Sequence, residues 1–225
     1  FYYATDDDVT DFNKPVGVGA RLELKVRDAA DENRSAIELT SAQSSDPDVL
    51  EVVSFGTDTL TLEGTGDGRA EISVEARFVN SGEIKPDSVD MRAATPDRTA
   101  LWHECRGPGE SYGIYQKGTD FRVPYELEMD DGNDVIGYGL YPFEFAPDSL
   151  LIRDEEQDSQ TWLFVKAADT AGSAQISSTI DSTAAQIDLV PLGDIDGVRR
   201  SSERSVEVGE DTAVFHQPLV SGTPI

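Results

Sequence analysis

The chain has 225 residues, of which 38% are hydrophobic, and its nine Phe, seven Tyr and two Trp provide enough apolar material for two cores of modest size. Its formal net charge is -26, from 44 acidic and 18 basic residues, and the acidic residues are spread along the chain. Because such a field repels phosphate backbones, the composition excludes nucleic acid as a partner.

The N-terminal segment, residues 1–15, combines an aromatic head with an acidic run. Phe1, Tyr2 and Tyr3 are followed by consecutive Asp residues at positions 6–8. We expect the aromatic residues to form a first edge strand, which also makes them a candidate segment for strand addition to another copy. We expect the acidic run to lie in solvent.

Short segments of alternating hydrophobic and polar residues follow from residue 16 onward. Leu22, Leu24 and Val26 alternate with charged residues, which is typical of a half-buried strand. Turn-forming Asp, Gly and Pro residues separate the segments, and no segment has a sustained helical period. The further predicted strands are 36–39, 50–54, 59–62, 70–78, 88–93, 120–128, 135–141, 150–153, 161–167, 173–180 and 185–190. We expect residues 198–208 to lead into a following unit.

Three sequence landmarks occur twice in the same order. The pairs, with their separations in residues, are Gly19/Gly118 (99), Pro47/Pro147 (100) and Gly68/Gly172 (104). Val208-Gly209, followed by residues 213–215, repeats the first landmark and indicates that a third unit begins there. Such a repeat predicts a modular chain, whose function usually lies in what the array displays or holds apart.

The landmarks have a recognisable form. They are Val18-Gly19 before an alternating strand, Ser44-Ser45-Asp46-Pro47-Asp48-Val49-Leu50-Glu51-Val52, and Gly68-Arg69-Ala70-Glu71-Ile72-Ser73-Val74. These motifs resemble those of bacterial immunoglobulin-like domains, group 2 in particular. The second unit keeps Gly172-Ser173-Ala174-Gln175-Ile176 but lacks the Ser-Ser-Asp element. The resemblance implies tandem immunoglobulin-like domains of a secreted or cell-surface bacterial protein.

The strand pattern and the repeat together predict an all-β chain of tandem immunoglobulin-like antiparallel β-sandwiches. Pro and Gly residues break the pattern between residues 95 and 113 and again at 191–193. The predicted divisions are an N-terminal segment or edge strand (1–15), a first domain (16–97), a linker (98–113), a second domain (114–192), and a junction with the start of an incomplete third unit (193–225).

The best local candidate for a metal site is the loop at residues 130–134. The side chains of Asp130, Asp131, Asn133 and Asp134 supply oxygen ligands of the kind that calcium prefers. Their spacing is not that of an EF-hand, and a turn rich in Asp, Gly and Asn between two strands is the alternative interpretation. No cofactor other than calcium is expected.

An aromatic-rich group lies in the second unit. Tyr138 and Tyr141 are candidate ligand-binding residues, because rings at the surface offer a platform for sugars. The alternative is that the group fills the core between two sheets, which the alternating aromatic pairs favour. These pairs are Phe143/Phe145 and Trp162/Phe164.

The single cysteine, Cys105, excludes an internal disulfide and a cysteine-based zinc site. It is a candidate for an intermolecular disulfide with a thiol outside this sequence, and a simple unpaired cysteine is the alternative. We expect the neighbouring His103 to lie on the surface of the linker, and His216 to have an ordinary structural role.

The sequence contains no recognisable catalytic set. It has neither a Gly-x-Ser-x-Gly elbow nor a glycine-rich phosphate loop before a helix. No stretch is long enough to span a membrane, and the N-terminus lacks the features of a signal peptide, so we expect a mature or trimmed chain.

We therefore expect a non-enzymatic extracellular or cell-surface protein. A tandem array of this kind spaces other domains, binds a partner, or assembles into a surface layer or fibre. The expected partner is another protein, further copies of the chain, or a surface glycan. The alternative is a carbohydrate-binding or accessory module of a larger secreted enzyme.

Overall fold

The computed structural model describes residues 1–3, 14–27, 37–103, 111–154, 162–200, 216–221 and 223–224. The predicted all-β class is confirmed, since the regular elements in these ranges are strands apart from one 3-10 helix at Leu192–Asp194. Within the same ranges, no helix is long and apolar enough to cross a membrane. The strands are β1 Tyr2–Tyr3, β2 Val16–Gly17, β3 Arg21–Lys25, β4 Ile37–Ser44, β5 Leu50–Phe55, β6 Thr59–Gly64, β7 Gly68–Phe78, β8 Ile84–Ala94, β9 Arg98–Leu101, β10 Tyr112–Gln116, β11 Asp120–Glu128, β12 Asp134–Val135, β13 Phe143–Ala146, β14 Leu151–Arg153, β15 Trp162–Ala167, β16 Gly172–Ser178, β17 Ala184–Val190, β18 Gly197–Arg200, β19 His216–Val220 and β20 Thr223–Pro224.

The chain divides into two compact units. Of the described residues, those in 1–98 and 126–141 form unit 1, and those in 99–125, 142–154 and from 162 onward form unit 2. The segment 126–141 follows the start of the second sequence repeat but belongs to unit 1. The compact units therefore do not follow the order of the chain.

Unit 1 is a sandwich of two sheets around one hydrophobic core. One sheet has the strand order β1-β3-β6-β5 and the other has the order β2-β8-β7-β4. Leu22 and Leu24 of β3 face the same core as Ile72 and Val74 of β7, and these side chains are almost completely buried. The alternation seen in the sequence is therefore the inside and outside of a β-sandwich.

Unit 2 repeats this arrangement. One sheet has the order β10-β17-β16-β13, and the other contains β11, β15 and β14, with β9 also paired to β11. Buried side chains alternate along β15 and β16, where Leu163, Val165 and Ile176 are at most 1% exposed. A third, small sheet in this unit has the order β18-β19-β20. The predicted immunoglobulin-like sandwich is thus confirmed.

The same two backbone devices begin each sandwich. The opening strand pairs in parallel with the last long strand, β2 with β8 in unit 1 and β10 with β17 in unit 2. The glycine of the first landmark then has a positive φ in both units, 88° at Gly19 and 72° at Gly118. The Gly19 amide donates to Gly64 O, and the Gly118 amide donates to Ala168 O, each directly at the end of β6 or β15.

The second and third landmarks form one contact in each unit. A Cβ atom on Gly68 would lie 2.9 Å from Val49, and one on Gly172 would lie 2.9 Å from Leu150. Val49 and Leu150 come just after Pro47 and Pro147 at the corner before β5 or β14. The two landmarks therefore recur together because the corner side chain fills the space that the glycine leaves open.

Most predicted strands are confirmed, with ends displaced by a few residues, but the strand predicted at 135–141 is wrong. Only Asp134–Val135 is a strand there. Gly137 and Gly139 have φ values of 125° and 84°, which an extended strand does not accept. The pattern also does not predict β13, and β9 and part of β10 lie within the residues 98–113 that it predicts as linker.

A half-buried carboxylate, that of Asp181, joins β9 to the turn between β16 and β17. Asp181 accepts hydrogen bonds from the Thr99 amide at 2.8 Å, the Thr99 hydroxyl at 2.9 Å and the Thr183 amide at 2.8 Å. Partial burial raises the pKa of Asp181, but the bonds from Thr99 and Thr183 outweigh it and lower the pKa from 3.8 to about 2. The ionised form therefore stabilises this part of unit 2.

Gly68→Ala should destabilise unit 1, because the new Cβ atom meets Val49 and because φ at this position is 153°. We expect a loss of about 1–3 kcal/mol in the free energy of unfolding, measured in urea. Gly193→Ala is the matched control, since no atom lies within 4 Å of its Cβ position. Equal stability of the two variants would contradict the proposed corner contact.

Asp181→Asn should destabilise unit 2 by about 1–3 kcal/mol at neutral pH, because an amide nitrogen cannot accept the bond from Thr99. The folded-state pKa lies below the ordinary value of 3.8, so this stability is present above that pH and is lost as the pH falls towards 2. Urea unfolding at several pH values should show the difference from wild type shrinking in acid. The exposed Asp148→Asn serves as control, and a pH-independent difference would argue against the assignment.

Candidate functional site

Residues 129–141, the part of the segment between β11 and β13 that belongs to unit 1, are here called the inserted loop. Its backbone is held by ladder-like hydrogen bonds within unit 1. Gly17 N donates to Ile136 O at 2.9 Å, and Arg21 and Tyr138 exchange two amide-to-carbonyl bonds of 2.8 Å. Ile136 packs against the core of the unit. The loop is therefore part of the sandwich wall and not a simple hairpin end.

Small residues allow this close approach. A Cβ atom on Gly17 would lie 3.1 Å from Leu140 and 3.2 Å from Val135, and one on Gly137 would lie 2.7 Å from the Ala20 Cβ atom. The sequence gives little indication of this packing, because it joins positions more than a hundred residues apart. The only local signal is the closely spaced pair Gly137 and Gly139.

The acidic end of the inserted loop holds the predicted calcium ligands. The Asp130 carboxylate pairs with Arg98 at 3.1 Å, and Asp134 pairs with Lys14 at 2.6 Å. Asp131 accepts the Asn133 amide at 3.0 Å, which is an Asx turn. The four predicted ligands thus lie on one loop, but the two outer carboxylates point to different cations. No local sequence motif predicts that Arg98 and Lys14 pair with these carboxylates.

The charges around this end are unbalanced. Burial raises the pKa of Glu126, and the neighbouring Asp134 and Glu128 carboxylates raise it further, while Lys14 lowers it. The hydrogen bonds from Asn133 lower the pKa of Asp131. A negative field therefore extends along the end of β11, in a place where one added cation would relieve repulsion.

No group of three or more His, Cys, Asp or Glu residues with metal-binding geometry occurs in the described part of the chain. The predicted calcium ligands also include the side-chain amide of Asn133. Calcium binding would require Asp130 and Asp134 to leave Arg98 and Lys14. It stays a prediction.

Tyr138 and Tyr141 are both half-buried. Tyr138 is fixed through its backbone bonds to Arg21, and Tyr141 ends the inserted loop. Their rings therefore belong to a well-placed segment of unit 1, and their role in ligand binding stays a prediction.

The other aromatic residues separate into an inner and an outer set. Phe143 is half-buried and makes an edge-to-face contact with the buried Tyr125, with 5.3 Å between ring centroids, so its ring borders the core of unit 2. The core role expected for Trp162 and Phe164 is wrong. They alternate with buried Leu163 and Val165 and therefore lie on the outer face of β15.

His103 is buried and not at the surface, contrary to the expectation from the sequence, with 3% of its area exposed. Its Nδ1 atom lies 2.8 Å from the Tyr115 hydroxyl, and Tyr115 stacks on Phe121 with 3.8 Å between centroids. Gly113 leaves space for the His103 ring, because a Cβ atom at position 113 would overlap the ring atoms. Cys105, the candidate for an intermolecular disulfide, lies outside the described residues.

The N-terminal aromatic segment is placed at a sheet edge. Tyr2 and Tyr3 pair with Lys25 and Leu24 of β3, and Phe1 packs against the core of unit 1. The two-residue ladder is short, and it occupies the edge of the sheet within its own chain. Whether the segment adds to another copy stays a prediction.

No protein-family model matches the chain, and no curated protein matches it. Among solved structures, domains 5–6 of the S-layer protein SbsC are similar with 10% identity and a TM-score of 0.33, over 81% of this chain and 95% of that one. Invasin, a bacterial integrin-binding protein, is similar with 14% identity and a TM-score of 0.33, over 95% of this chain but only 46% of its own. Fibronectin(III)-like modules of Clostridium thermocellum CbhA give 12% identity and a TM-score of 0.28, over 82% and 92% of the two chains. Values this low carry no argument about function.

A calcium titration tests the predicted ligands of the inserted loop. If they bind the ion, millimolar calcium should raise the thermal unfolding midpoint, because a bound ion stabilises only the folded state. Asp131→Asn should abolish the rise, whereas Asp148→Asn, at an exposed position of unit 2 outside the loop, should not. An unchanged midpoint in wild type would remove the calcium prediction, and an equal rise in both variants would show that the ion binds elsewhere.

Proposed function

We propose that this chain is part of a non-enzymatic extracellular or cell-surface protein with a structural or adhesive role, in which tandem sandwiches space, bind or assemble. The observation that carries the proposal is the recurrence of one sandwich plan in both units. Both units share two details of this plan. Each has a glycine packed against a corner side chain, Gly68 against Val49 and Gly172 against Leu150, and each has an opening strand in a parallel pair. What is repeated is a means of building a stable module, and modules of this kind are used in series.

The charge supports an extracellular setting for such a series. A net charge of -26 keeps copies apart at low ionic strength and permits closer contact where salt screens the field. We propose that the chain functions in a salty medium outside the cell, where salt screens its negative charge and lets copies or partners approach it.

The edges of the unit 1 sheets favour strand addition near β1. On β8, residues 84–91 extend beyond the short pairing with β2. Pro86 and the charged residues Lys85, Asp87 and Asp90 disfavour the pairing of another strand with this stretch. The opposite sheet ends at β1, which carries aromatic residues and no charge. We therefore propose Phe1, Tyr2 and Tyr3 as the segment through which strand addition to a neighbouring copy takes place.

Electron microscopy of the purified chain at rising concentration and salt tests assembly. We expect oligomers or fibres that become more abundant as salt screens the net charge. Removal of Phe1, Tyr2 and Tyr3 should reduce them if strand addition contributes, whereas Val79→Lys, at an exposed position in unit 1, should not. Dispersed single particles under all conditions would count against an assembling array.

A further inference from the structure

The outer face of one sheet in unit 2 is poor in charge, although the chain as a whole is rich in it. This sheet has the order β10-β17-β16-β13, and none of its four strands contains Lys or Arg. Buried residues alternate along β16 and β17 with outward-pointing ones. We call the outward set the amide face, and it consists of Tyr112, Ser173, Gln175, Ser177 and Gln186.

The equivalent face of unit 1 is charged. Strands β7 and β16 share the landmark Gly-x-Ala-x-Ile, which aligns their outward positions. Glu71 lies opposite Asp90 in the register of unit 1, whereas Gln175 lies opposite Gln186 at the equivalent position of unit 2. Unit 2 therefore has two amides where unit 1 has two carboxylates. The cores of the sandwiches do not require this difference, because these side chains point away from them.

Three side chains of the amide face form a row across the sheet. Gln175 lies directly opposite Gln186, which lies beside Tyr112 of β10. Adjacent strands are about 4.8 Å apart, so the row presents two amides and a phenol ring within about 10 Å. The Tyr112 hydroxyl donates to the Asp188 carboxylate at 2.7 Å, which fixes the orientation of the ring. Gln186 is exposed and Tyr112 is 38% exposed, so a ligand can reach the row.

The hydrogen-bonding groups of the amide face match those of a carbohydrate. A glutamine side chain donates through its amide nitrogen and accepts through its carbonyl oxygen, and a sugar hydroxyl can also do both. The hydroxyls of Ser173 and Ser177, on either side of Gln175 along β16, extend this chemistry. The Tyr112 ring offers an apolar surface to the C–H groups of a sugar ring.

The charges beside the amide face disfavour other classes of partner. Glu144 lies opposite Ser177, and Asp188 lies opposite Ser173. An acidic protein, a nucleic acid or an acidic glycan would meet these carboxylates and no cation on the four strands. A second copy placed face to face would bring four such carboxylates together. A neutral sugar avoids this repulsion, because a carboxylate also accepts hydrogen bonds from hydroxyl groups.

We propose that the amide face binds a neutral polysaccharide, with Gln175 and Gln186 bonded to its hydroxyl groups and Tyr112 in contact with a sugar ring. This inference rests on the adhesive role proposed above and names its ligand. The site is separate from Tyr138 and Tyr141, which belong to unit 1. A single contact with a flat face is weak, and binding becomes stronger where one polysaccharide meets several copies.

NMR titration of the isotope-labelled full chain tests the site. Soluble neutral oligosaccharides of the glucan, mannan, galactan and chitin types are added at millimolar concentration, beside oligogalacturonate as the acidic probe. At least one neutral probe should shift the side-chain amide signals of Gln175 and Gln186, and the acidic probe should not. Q175A and Q186A should each weaken binding of that probe at least about fivefold, because each removes a hydrogen-bonding group.

E71A is the matched control, since it truncates the equivalent outward position of unit 1. It should bind the neutral probe like wild type, and circular dichroism and thermal unfolding should show that all variants are folded. The proposal is overturned if no neutral probe shifts the two signals, if the acidic probe shifts them equally, or if Q175A and E71A bind alike.

Dilution of the chain without any sugar separates this proposal from self-association. Shifts of the Gln175 and Gln186 signals with protein concentration alone would assign the amide face to a second copy and overturn the carbohydrate site. Loss of the carbohydrate site leaves the proposed assembly intact, because assembly is measured by electron microscopy and depends on Phe1, Tyr2 and Tyr3. Dispersed particles that still bind the neutral probe would overturn assembly and leave the adhesive role.

Discussion

Each sandwich depends on the contact between the corner side chain and the glycine that opens the second-last long strand. Val49 against Gly68 and Leu150 against Gly172 fix how closely the chain returns after the corner. This closeness sets where β7 and β16 begin, and these strands pair in the middle of their sheets between β8 and β4, or between β17 and β13. A larger residue at either glycine would displace a central strand, and the buried side chains on it would no longer meet the opposite sheet.

The part of the fold that could be predicted is the part that alternates. Leu22 and Leu24 separate two environments, so their period shows both the strand and its inner face. The run Trp162-Leu163-Phe164-Val165 is apolar at every position, so it predicts a strand but not which side faces inward. The outward position of Trp162 and Phe164 was missed for this reason. The inserted loop was missed for another: its partners, Gly17 and Arg21, are distant in sequence, and single-chain patterns contain no information on such pairings.

Charge has a different role in the two units. In unit 1 the Glu71–Asp90 pair of β7 and β8 faces outward next to the Arg69–Arg92 pair, and a second group of carboxylates lies around Glu126 near the inserted loop. In unit 2 the half-buried Asp181 carboxylate accepts hydrogen bonds from Thr99 and Thr183. A high acidic content therefore does not mean that all carboxylates merely keep the chain soluble. Some accept structural hydrogen bonds, and others, such as Asp130 and Asp134, pair with basic side chains.

The features that differ between the repeats are the ones that the shared sandwich does not require. The turn and corner residues recur because both cores need them, so they cannot distinguish one unit from the other. The inserted loop adds wall to unit 1 and brings the Asp130 and Tyr138 regions to its surface, whereas the second repeat contributes Arg122 and Trp162 to an outer face. The exposed Ile152 and the Arg122–Trp162 contact lie on the outer face of one sheet of unit 2, which the buried side of that sheet does not determine. A specific role of either unit therefore depends on such differences and not on the sandwich that the two units share.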